Sequence, residues 1–367
     1  MSNKTPVLWI APNLNHYKRR LLSCLHNNGC FEINIFAGST PIKEGHRDGH
    51  YFDGMQITSV NVSYKYFSFH PYVFLSLTKL IIQKKIPIIL LPCERKYYPL
   101  LMWLVFLRFL LNFKLITYTH PVMRNGEPLL KDKRRTKRIF KFFDQVIFYS
   151  KPAMEWAISQ NLTDKHKSHF ANNTLDTNMI WNSYTHVINE KRPIRIIFLG
   201  RLNKSKRLRD LIIYTEAMRR AFVDLELIII GDGPERSFIK SCVDKYHWVH
   251  WLGALVEEKD IAVQMKIAHA VFVPGWSGLS IVHAFAYGKP YFTFDQPHST
   301  EIAYLRDDIN GLLLKGSKDD ILKRIATIFS DSEKYKKMCD NALIAAKEVS
   351  VENWCTQITD AFKKNIR

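Results

Sequence analysis

Short runs of apolar residues alternate with stretches of helical periodicity along the first half of the chain. Apolar runs bounded by turn residues predict strands over Val7–Ile10, Phe31–Phe36, Pro87–Leu91, Lys114–Tyr118 and Gln145–Tyr149. The segments between them have helical spacing at Asn15–Asn27, Pro71–Lys84 and Leu100–Leu111. Continuous apolar strands that alternate with helices are typical of a parallel sheet covered on both faces.

The pattern is interrupted at 171–193, where ANNTLDTNMIWNSYTHVINEKRP is rich in Asn and Thr and has neither a helical nor a strand period. We expect this segment to connect two domains. Beyond it, strands are predicted at Ile194–Leu199, Leu225–Ile230, Ala270–Val273, Tyr291–Phe294 and Gly311–Leu314. Helices are predicted at Leu208–Ala221, Glu235–Tyr246, from near Ser280, and at Asp319–Phe329, Ser332–Val349 and Glu352–Lys364.

The fold class predicted from this pattern is α/β, with two doubly wound Rossmann-like domains in tandem that face each other across a cleft. The predicted division is an N-terminal domain at 1–172, a linker at 173–193 and a C-terminal domain at 194–350, with a last helix in 351–367 that can cross back to the N-terminal domain. Ligands of such sheets bind beyond the carboxyl ends of the strands.

Composition narrows the class of protein. A chain of 367 residues that is 47% hydrophobic and 13% aromatic is a globular protein, and its length favours two domains. Its 53 basic and 34 acidic residues leave a net charge of +19, which favours acidic partners such as phosphates, nucleic acid or anionic lipid. None of the six cysteines forms a C-x-x-C pair, so we expect no metal site.

The apolar segments are too short for membrane insertion or secretion. The run at 97–113 is broken by Arg108 and is shorter than the ~20 residues that a spanning helix needs. The apolar stretch near the N-terminus ends at Pro12, which is too early for a signal peptide. We therefore expect a cytoplasmic protein.

The segment IRIIFLGRLNKSKRLRDLI at 194–212 places cations directly after a predicted strand. Gly200 permits a tight exit, and Arg201 and Lys206 follow before the next helix. An arginine fork and a lysine point charge at this edge can converge on a diphosphate, next to the positive end of a helix. Spacing alone leaves a solvated basic turn as the alternative.

A second segment, LELIIIGDGPE at 225–235, leads from a strand into Gly231, Asp232 and Gly233. This pattern predicts a backbone turn at the same sheet edge, although an ordinary strand-to-helix turn has the same residues.

A third segment, VFVPGWSGLSIVHAFAYGKP at 271–290, has a loop of small residues before a helix. The amides of Gly278, Leu279 and Ser280 suit a phosphate or a sugar hydroxyl. His283 lies one turn into the helix, either as a ligand contact or as a packing residue.

These segments, in this order, resemble glycosyltransferase family 4, whose members have the GT-B fold. The family signature reads G-R-L-x-x-x-K, G-D-G-P, P-x-x-x-E-G-x-G-x-x-x-x-E-A-x-A-x-G-x-P, P-E and N-G-L-L. Here it reads GRLNKSK, GDGP, PGWSGLSIVHAFAYGKP, STEIAYLRDD and INGLLL. The resemblance covers the C-terminal half and is specific as a set.

The first half is more loosely similar. KLITYTHPVMR places His120 at the histidine that, in the family, touches the donor sugar, although a loop-capping role is the alternative. The segment APNLNHYKRR replaces the glycine-rich loop of many members and resembles a branch with a Tyr-Arg or Tyr-Lys pair. The resemblance therefore suggests that His16, Tyr17 and Arg19 face the acceptor, unless they merely begin a surface helix.

The chain departs from the family at both glutamates of the sugar site. The alignment puts Gly275 at the first glutamate, which contacts the donor sugar, and His283 at the second, which holds the nucleotide ribose. His283 can still make a hydrogen bond there, whereas Gly275 cannot. A replacement contact to the sugar is expected from Glu301 or from backbone amides.

The resemblance implies a retaining glycosyltransferase of cell-surface polysaccharide synthesis that needs no cofactor and no metal. The donor would be a nucleotide-diphosphate sugar, with UDP favoured over GDP, and the acceptor a glycan or a polyprenyl-diphosphate-linked glycan. Arg201 and Lys206 would neutralise the leaving diphosphate, and His120 would complete the catalytic set. The alternatives are a GT-B epimerase or phosphorylase, or a nucleic-acid-binding protein, for which no recognition motif is present.

A basic run, KDKRRTKRIFK at 131–141, is expected to lie on a helix of the first domain. Its charge favours either contact with an anionic membrane surface, at about 1 kcal/mol per cation, or a plain solvated face. The apolar segment Leu100–Leu111 is expected to be buried against the sheet rather than inserted into lipid.

Overall fold

The computed structural model describes residues 4–12, 18–39, 54–63, 65–119, 133–221 and 224–364. The described residues form two compact units. Of these described residues, unit one contains those up to Leu175 together with those from Val351 onward, and unit two contains those from Asp176 to Ser350. His16, Tyr17 and His120 lie outside the described residues.

Unit one is built on a seven-stranded sheet in the order β3-β2-β1-β4-β5-β6-β7, with all neighbours parallel. The strands are β1 (Thr5–Ala11), β2 (Phe31–Ser39), β3 (Gln56–Ser63), β4 (Ile88–Leu90), β5 (Lys114–Thr119), β6 (Gln145–Phe148) and β7 (Ser168–Phe170). The helices are α1 (Arg19–Asn27), α2 (Pro71–Lys84), α3 (Tyr98–Arg108), α4 (Lys133–Phe140) and α5 (Lys151–Ser159). Alternate residues of β1 enter two cores because both faces of the sheet are covered.

Unit two contains a six-stranded parallel sheet in the order β10-β9-β8-β11-β12-β13. The strands are β8 (Ile194–Leu199), β9 (Leu225–Ile230), β10 (Val249–Trp251), β11 (Ala270–Phe272), β12 (Tyr291–Phe294) and β13 (Gly311–Leu314). The helices are α6 (Thr177–Ser183), α7 (Leu208–Ala221), α8 (Arg236–Lys245), α9 (Glu258–Ile267), α10 (Ser280–Ala286), α11 (Lys318–Ser330) and α12 (Ser332–Glu348).

The segment 171–193, in which the sequence shows no helical period, contains the helix α6. The Asp176 side chain caps α6 by accepting a hydrogen bond from the Met179 amide at 3.1 Å. The Trp181 indole donates to the Ala286 carbonyl at 3.0 Å, which joins α6 to unit two. The helix escaped prediction because its stability comes from a cap and a tertiary contact rather than from an apolar stripe.

The last helix, α13 (Val351–Lys363), packs on the sheet of unit one beside α1. Its Trp354 indole donates to the Tyr118 hydroxyl at 3.1 Å, and Phe362 meets Phe31 edge-to-face at 5.4 Å. The chain therefore returns to unit one after completing unit two. Among the described residues, none of the helices is both long and apolar enough to cross a membrane.

Candidate functional site

The strand order of unit two reverses between β8 and β11, so the loops after these two strands diverge from one point at the carboxyl edge of the sheet. Ligands of open parallel sheets bind at such switch points. The loop after β8 carries Gly200, Arg201 and Lys206, and the loop after β11 runs from Pro274 to Leu279. The sequence-predicted cations therefore lie at the position that topology assigns to a ligand.

Backbone atoms of the β8 and β9 loops touch at Gly231. A Cβ on Gly231 would lie 1.9 Å from the carbonyl oxygen of Gly200, and the φ of Gly231 is +142°. Gly233 is packed in the same way, with the Leu202 carbonyl oxygen 2.4 Å from the position of its absent Cβ. The GDGP segment therefore serves close packing of the two loops.

Gly275 closes the other side of the Lys206 loop. Its amide donates to the Lys206 carbonyl at 3.1 Å, and the Trp276 amide donates to the Ser205 carbonyl at 2.8 Å. A Cβ on Gly275 would lie 2.1 Å from the Ser205 oxygen. No side chain fits here without movement of the backbone, so the site has no room for the family's first glutamate in this arrangement of the loops.

Lys206 is half-buried at the centre of these loops. Its Nζ donates to the Trp276 carbonyl at 2.5 Å, and no carboxylate pairs with it in the described part of the chain. Burial lowers the pKa of Lys206 to about 8. Because an ammonium has three donors, the one known bond leaves capacity for an anion. A half-buried cation without a counter-ion is what a phosphate site requires.

The other cations of the loop differ from Lys206. Arg201 is exposed, and its guanidinium makes no hydrogen bond or ion pair with the described residues. Arg207 is already held, because it donates to Asp210 at 2.7 Å and to Gln296 at 2.9 Å. Lys204 is exposed and, like Arg201, has no side-chain partner among the described residues. Among these cations Lys206 is therefore distinguished by its partial burial.

A buried hydrogen-bond network supports the loop after β11. The fully buried Ser277 hydroxyl bonds to the Tyr291 hydroxyl at 3.0 Å and to the Thr293 hydroxyl at 3.2 Å. The Ser277 amide donates to Nδ1 of His298 at 3.1 Å, and Nε2 of His298 lies 2.8 Å from the Phe294 carbonyl. Burial lowers the pKa of His298, which favours the neutral ring that this pattern needs. The network fixes the loop backbone in place.

The amides of Gly278, Leu279 and Ser280 at the start of α10 make no hydrogen bonds with the described part of the chain. Glu301 lies beside them in the short 3₁₀ helix Thr300–Tyr304, and its Oε2 is 3.8 Å from where a Cβ on Gly278 would stand. Glu301 is only 3% exposed. The structure thus places these predicted residues together, with the carboxylate inside the protein rather than on its surface.

His283 is bound by a carboxylate that is distant in sequence. Its Nε2 lies 2.7 Å from Oε1 of Glu258, and the Tyr287 hydroxyl donates to the same oxygen at 2.5 Å. Burial acts to raise the pKa of Glu258, but the hydrogen bonds from His283 and Tyr287 outweigh it and the pKa is lowered. A carboxylate therefore lies one side chain away from the position where the family has its second glutamate.

Asp232 has partners within its own segment. Its carboxylate accepts hydrogen bonds from the Gly233 amide at 2.6 Å and from Arg236 Nε at 3.0 Å. Both partners lower the pKa of Asp232, with Arg236 as the larger cause. Its side chain stabilises the turn before α8.

In unit one the strand order reverses between β1 and β4. Lys18, just before α1, follows β1 there, and its Nζ lies 5.9 Å from the ring centroids of both Trp9 and Tyr118. Burial lowers the pKa of Lys18 to about 8, against a smaller opposing effect of Glu94. The predicted Arg19 is the first residue of α1.

Sequence reasoning missed Lys18 and Glu258. The signal for Lys18 was present, since it lies between Tyr17 and Arg19 in the segment already singled out. Glu258 is 25 residues from His283, and no short motif joins them. Within the described residues, no group of three or more His, Cys, Asp or Glu side chains is placed to hold a metal ion.

Residues 184–343 match the family model of group 1 glycosyl transferases. The match covers most of unit two, including the Lys206 loop and α10. No curated protein matches the chain at significant sequence similarity.

Solved structures extend the similarity to the whole chain. Sucrose-phosphate synthase from Thermosynechococcus elongatus has a TM-score of 0.74 at 15% identity, covering 99% of both chains. A glycosyltransferase from Rickettsia africae has a TM-score of 0.74 at 14% identity, covering 100% of this chain and 99% of the other. Anabaena HepE in complex with UDP has a TM-score of 0.72 at 16% identity, covering 98% and 100%. The fold is therefore GT-B, as the sequence predicted.

Proposed function

We propose that the protein is a retaining glycosyltransferase that uses a nucleotide-diphosphate sugar. The uncompensated ammonium of Lys206 at the switch point of unit two carries this proposal. A diphosphate would accept hydrogen bonds from Lys206 and Arg201 and would remove the cost of the half-buried charge. The match of residues 184–343 to group 1 glycosyl transferases supports the same chemistry.

In the proposed reaction the bond between the anomeric carbon and the β-phosphate oxygen breaks, and an acceptor hydroxyl forms the new bond on the same face of the sugar. The departing phosphate oxygen takes the proton of that hydroxyl. Lys206 and Arg201 stabilise the charge that develops on the diphosphate, which is where an enzyme gains most rate. These two cations supply this stabilisation, so the proposal requires neither a metal ion nor a protein nucleophile.

UDP is the proposed nucleotide, because the neighbour HepE was solved with UDP and with UDP-glucose, and the neighbour TarM was also solved with UDP. We propose that the imidazole of His283 forms a hydrogen bond with the ribose. Glu301 and the backbone amides of Gly278–Ser280 are proposed to form hydrogen bonds with the donor sugar. We propose that the acceptor is a glycan or a polyprenyl-diphosphate-linked glycan of a surface polysaccharide at the cytoplasmic side of the membrane. The segment from His16 to Arg19 is proposed to contact this acceptor. His120 is proposed to contact the donor sugar near the reacting carbon.

A thermal-shift panel of UDP, GDP, CDP, ADP and dTDP without added metal tests the proposal. A ligand at ~100 times its Kd adds about 2.7 kcal/mol to the free energy of unfolding. We expect UDP to give the largest shift in melting temperature, and Lys206→Ala to reduce it. Equal, absent or Lys206-independent shifts would contradict the assignment of this site.

A further inference from the structure

The end of α3 exposes large apolar side chains on one side of the helix. Phe106 is 53% exposed, Phe109 83% and Leu110 68%. The turn of hydrogen bonds from Phe109 to Phe106 and from Leu110 to Leu107 continues the helical path, so these side chains lie three and four residues apart on one face. This contrasts with the buried side of the same helix, where Leu100, Leu104 and Leu107 enter the core.

The neighbouring helix α2 has the same property. Tyr72, Leu75 and Ile82 are more than half exposed and lie on its outer face. Contiguous exposed apolar side chains on adjacent helices are unusual for a surface that meets only water. They therefore indicate that another apolar medium or molecule covers this side of unit one.

A row of cations lies on α4 and on Lys141, the residue directly after it. Arg134, Lys137, Arg138 and Lys141 are exposed and follow the i, i+3, i+4, i+7 spacing of one helix face, whereas Phe140 is buried. The sequences of α2, α3 and α4 contain no aspartate or glutamate. The row is thus not neutralised by carboxylates from these helices.

The three helices cover the same face of the sheet. The Trp103 indole on α3 donates to the Thr78 hydroxyl on α2 at 3.0 Å. Arg108, the last residue of α3, donates to the carbonyl of Phe142 just after α4 at 3.1 Å. The chain neighbours of this last contact are Phe109 on one side and Lys141 on the other. The apolar and cationic parts therefore meet and form one surface, which we call the α2–α4 surface.

We propose that the α2–α4 surface docks on a bilayer that contains anionic lipid. Phe109, Leu110 and the outer residues of α2 would enter the headgroup region, and the cations of α4 would meet lipid phosphates. Apolar side chains beside a cationic row match the chemistry of an anionic membrane. A nucleic acid would neutralise the row but leave Phe109 and Leu110 in water. The docking does not depend on the proposed transfer reaction, and the two proposals fail separately.

The contribution of charge to docking is tested by sedimentation of the full chain with phosphatidylcholine vesicles that contain 0, 15 or 30% phosphatidylglycerol. We expect binding to rise with phosphatidylglycerol and to fall with salt. Replacement of the row by glutamine (Arg134→Gln, Lys137→Gln, Arg138→Gln and Lys141→Gln) is expected to weaken binding by about fivefold per cation, or roughly two to three orders of magnitude in all. A control variant has the same change of charge on unit two (Lys240→Gln, Lys266→Gln, Lys323→Gln and Lys337→Gln). Its loss of vesicle binding should be much smaller than that of the α4 glutamine variant.

The double variant Phe109→Ser and Leu110→Ser tests the apolar part. We expect binding about tenfold weaker than wild type, with the deficit persisting at high salt because it does not arise from charge. The matched control is Val263→Ser with Ile344→Ser, two exposed apolar residues of unit two. Circular dichroism and thermal melting without nucleotide establish that each variant is folded.

Several outcomes would overturn the proposal. One is equal binding to neutral and anionic vesicles, and another is wild-type binding by the α4 glutamine variant. A third is tight, salt-sensitive binding to duplex DNA without vesicle binding, which would assign the row to nucleic acid. A fourth outcome is that the protein does not bind vesicles and forms an oligomer that the double variant Phe109→Ser and Leu110→Ser converts to a monomer. This result would assign the surface to a second copy of the chain.

Discussion

The lysine of the candidate site in unit two and the cationic row along α4 in unit one differ in burial, although both units contain the same kind of parallel sheet. In unit two, Lys206 lies half-buried between packed backbone loops and bonds to a single carbonyl. Unit one has a comparable lysine in Lys18, whose pKa is also lowered to about 8 by burial. It differs from unit two in the row Arg134, Lys137, Arg138 and Lys141, which is exposed. A half-buried charge without a counter-ion destabilises the folded protein until a ligand neutralises it. Exposed cations have almost no such desolvation cost, and each contributes little to binding, so a row of them binds an anionic partner by the sum of many weak contributions. The position of a cation, rather than the net charge of +19, therefore indicates its partner.

The largest expected effect concerns the packing that positions Lys206. Gly231→Ala would push a methyl group into the Gly200 carbonyl, and we expect the free energy of unfolding of unit two to fall by about 3 kcal/mol or more. Gly253→Ala is the matched control, because Gly253 also has a positive φ of +70° but nothing within 4 Å of its absent Cβ. It should cost about 1–2 kcal/mol. Urea unfolding followed by tryptophan fluorescence measures both, and equal losses would refute the packing argument.

The next effect is on catalysis. Lys206→Ala and Arg201→Ala should each lower kcat by ~10²–10³ and change KM much less, because their charge acts mainly on the leaving diphosphate. Lys204→Ala is the control, since Lys204 is an exposed cation of the short 3₁₀ helix Lys204–Lys206, which also contains Lys206. Steady-state hydrolysis kinetics with sugars carried on the nucleotide diphosphate that the thermal-shift panel identifies provide the measurement. Near-normal turnover of both variants would remove these residues from the mechanism.

Lys206 also predicts a pH dependence. Because burial lowers its pKa to about 8, the free enzyme loses this positive charge as pH rises through that value. The ratio kcat/KM, which reports the free enzyme, should therefore fall above about pH 8. In Lys206→Arg the guanidinium stays charged, so the alkaline decline should move to higher pH even if the rate is lower. An unchanged profile would show that another group controls it.

The smallest effect concerns the carboxylate behind His283. Glu258→Gln keeps the size of the side chain but removes the charge that His283 and Tyr287 share, and we expect nucleotide affinity to fall by about tenfold. If His283 meets the ribose, the 2′-deoxy nucleotide should lose less affinity than the ribonucleotide. Asp260→Asn, an exposed carboxylate on the same helix, is the control. Isothermal titration calorimetry separates these cases, and equal losses for both nucleotides would contradict the ribose contact.

The pH dependence of the free energy of unfolding is a second way to test the role of Glu258. The folded state lowers the pKa of this carboxyl. Its contact with His283 and Tyr287 therefore contributes to the free energy of unfolding above the ordinary glutamate pKa, and the contribution is lost as pH falls through the lowered value. Glu258→Gln should remove this part of the acid dependence.

The apolar runs of the sequence predicted much of the fold. The strands Ile194–Leu199 and Leu225–Ile230 and the helix Pro71–Lys84 are confirmed with the bounds expected. These elements are long and strongly patterned, so local sequence determines them. The short strands Ser168–Phe170 and Val249–Trp251 were missed, because each has three residues and contains a histidine. Their formation depends on the neighbouring strand rather than on their own composition.

The candidate site could likewise be predicted from the sequence only in part. Short motifs could place Gly200, Arg201 and Lys206 after a strand, because spacing and strand direction determine that position. They could not predict that the Lys206 loop excludes a side chain at Gly275, or that Glu258 binds His283. Both facts arise where segments distant in sequence meet. The catalytic role of His120 and the acceptor-side roles of His16, Tyr17 and Arg19 stay predictions.

The return of α13 to unit one has a consequence for synthesis of the chain on the ribosome. The described residues of unit two lie between Asp176 and Ser350, so all of them emerge before α13 does. Unit one, although begun first, lacks Trp354 and Phe362 over its Trp9 and Phe31 core until translation has passed Lys363. The usual order, in which the N-terminal domain is completed first, is therefore reversed. The apolar face of unit one that α13 covers stays exposed to solvent while unit two folds.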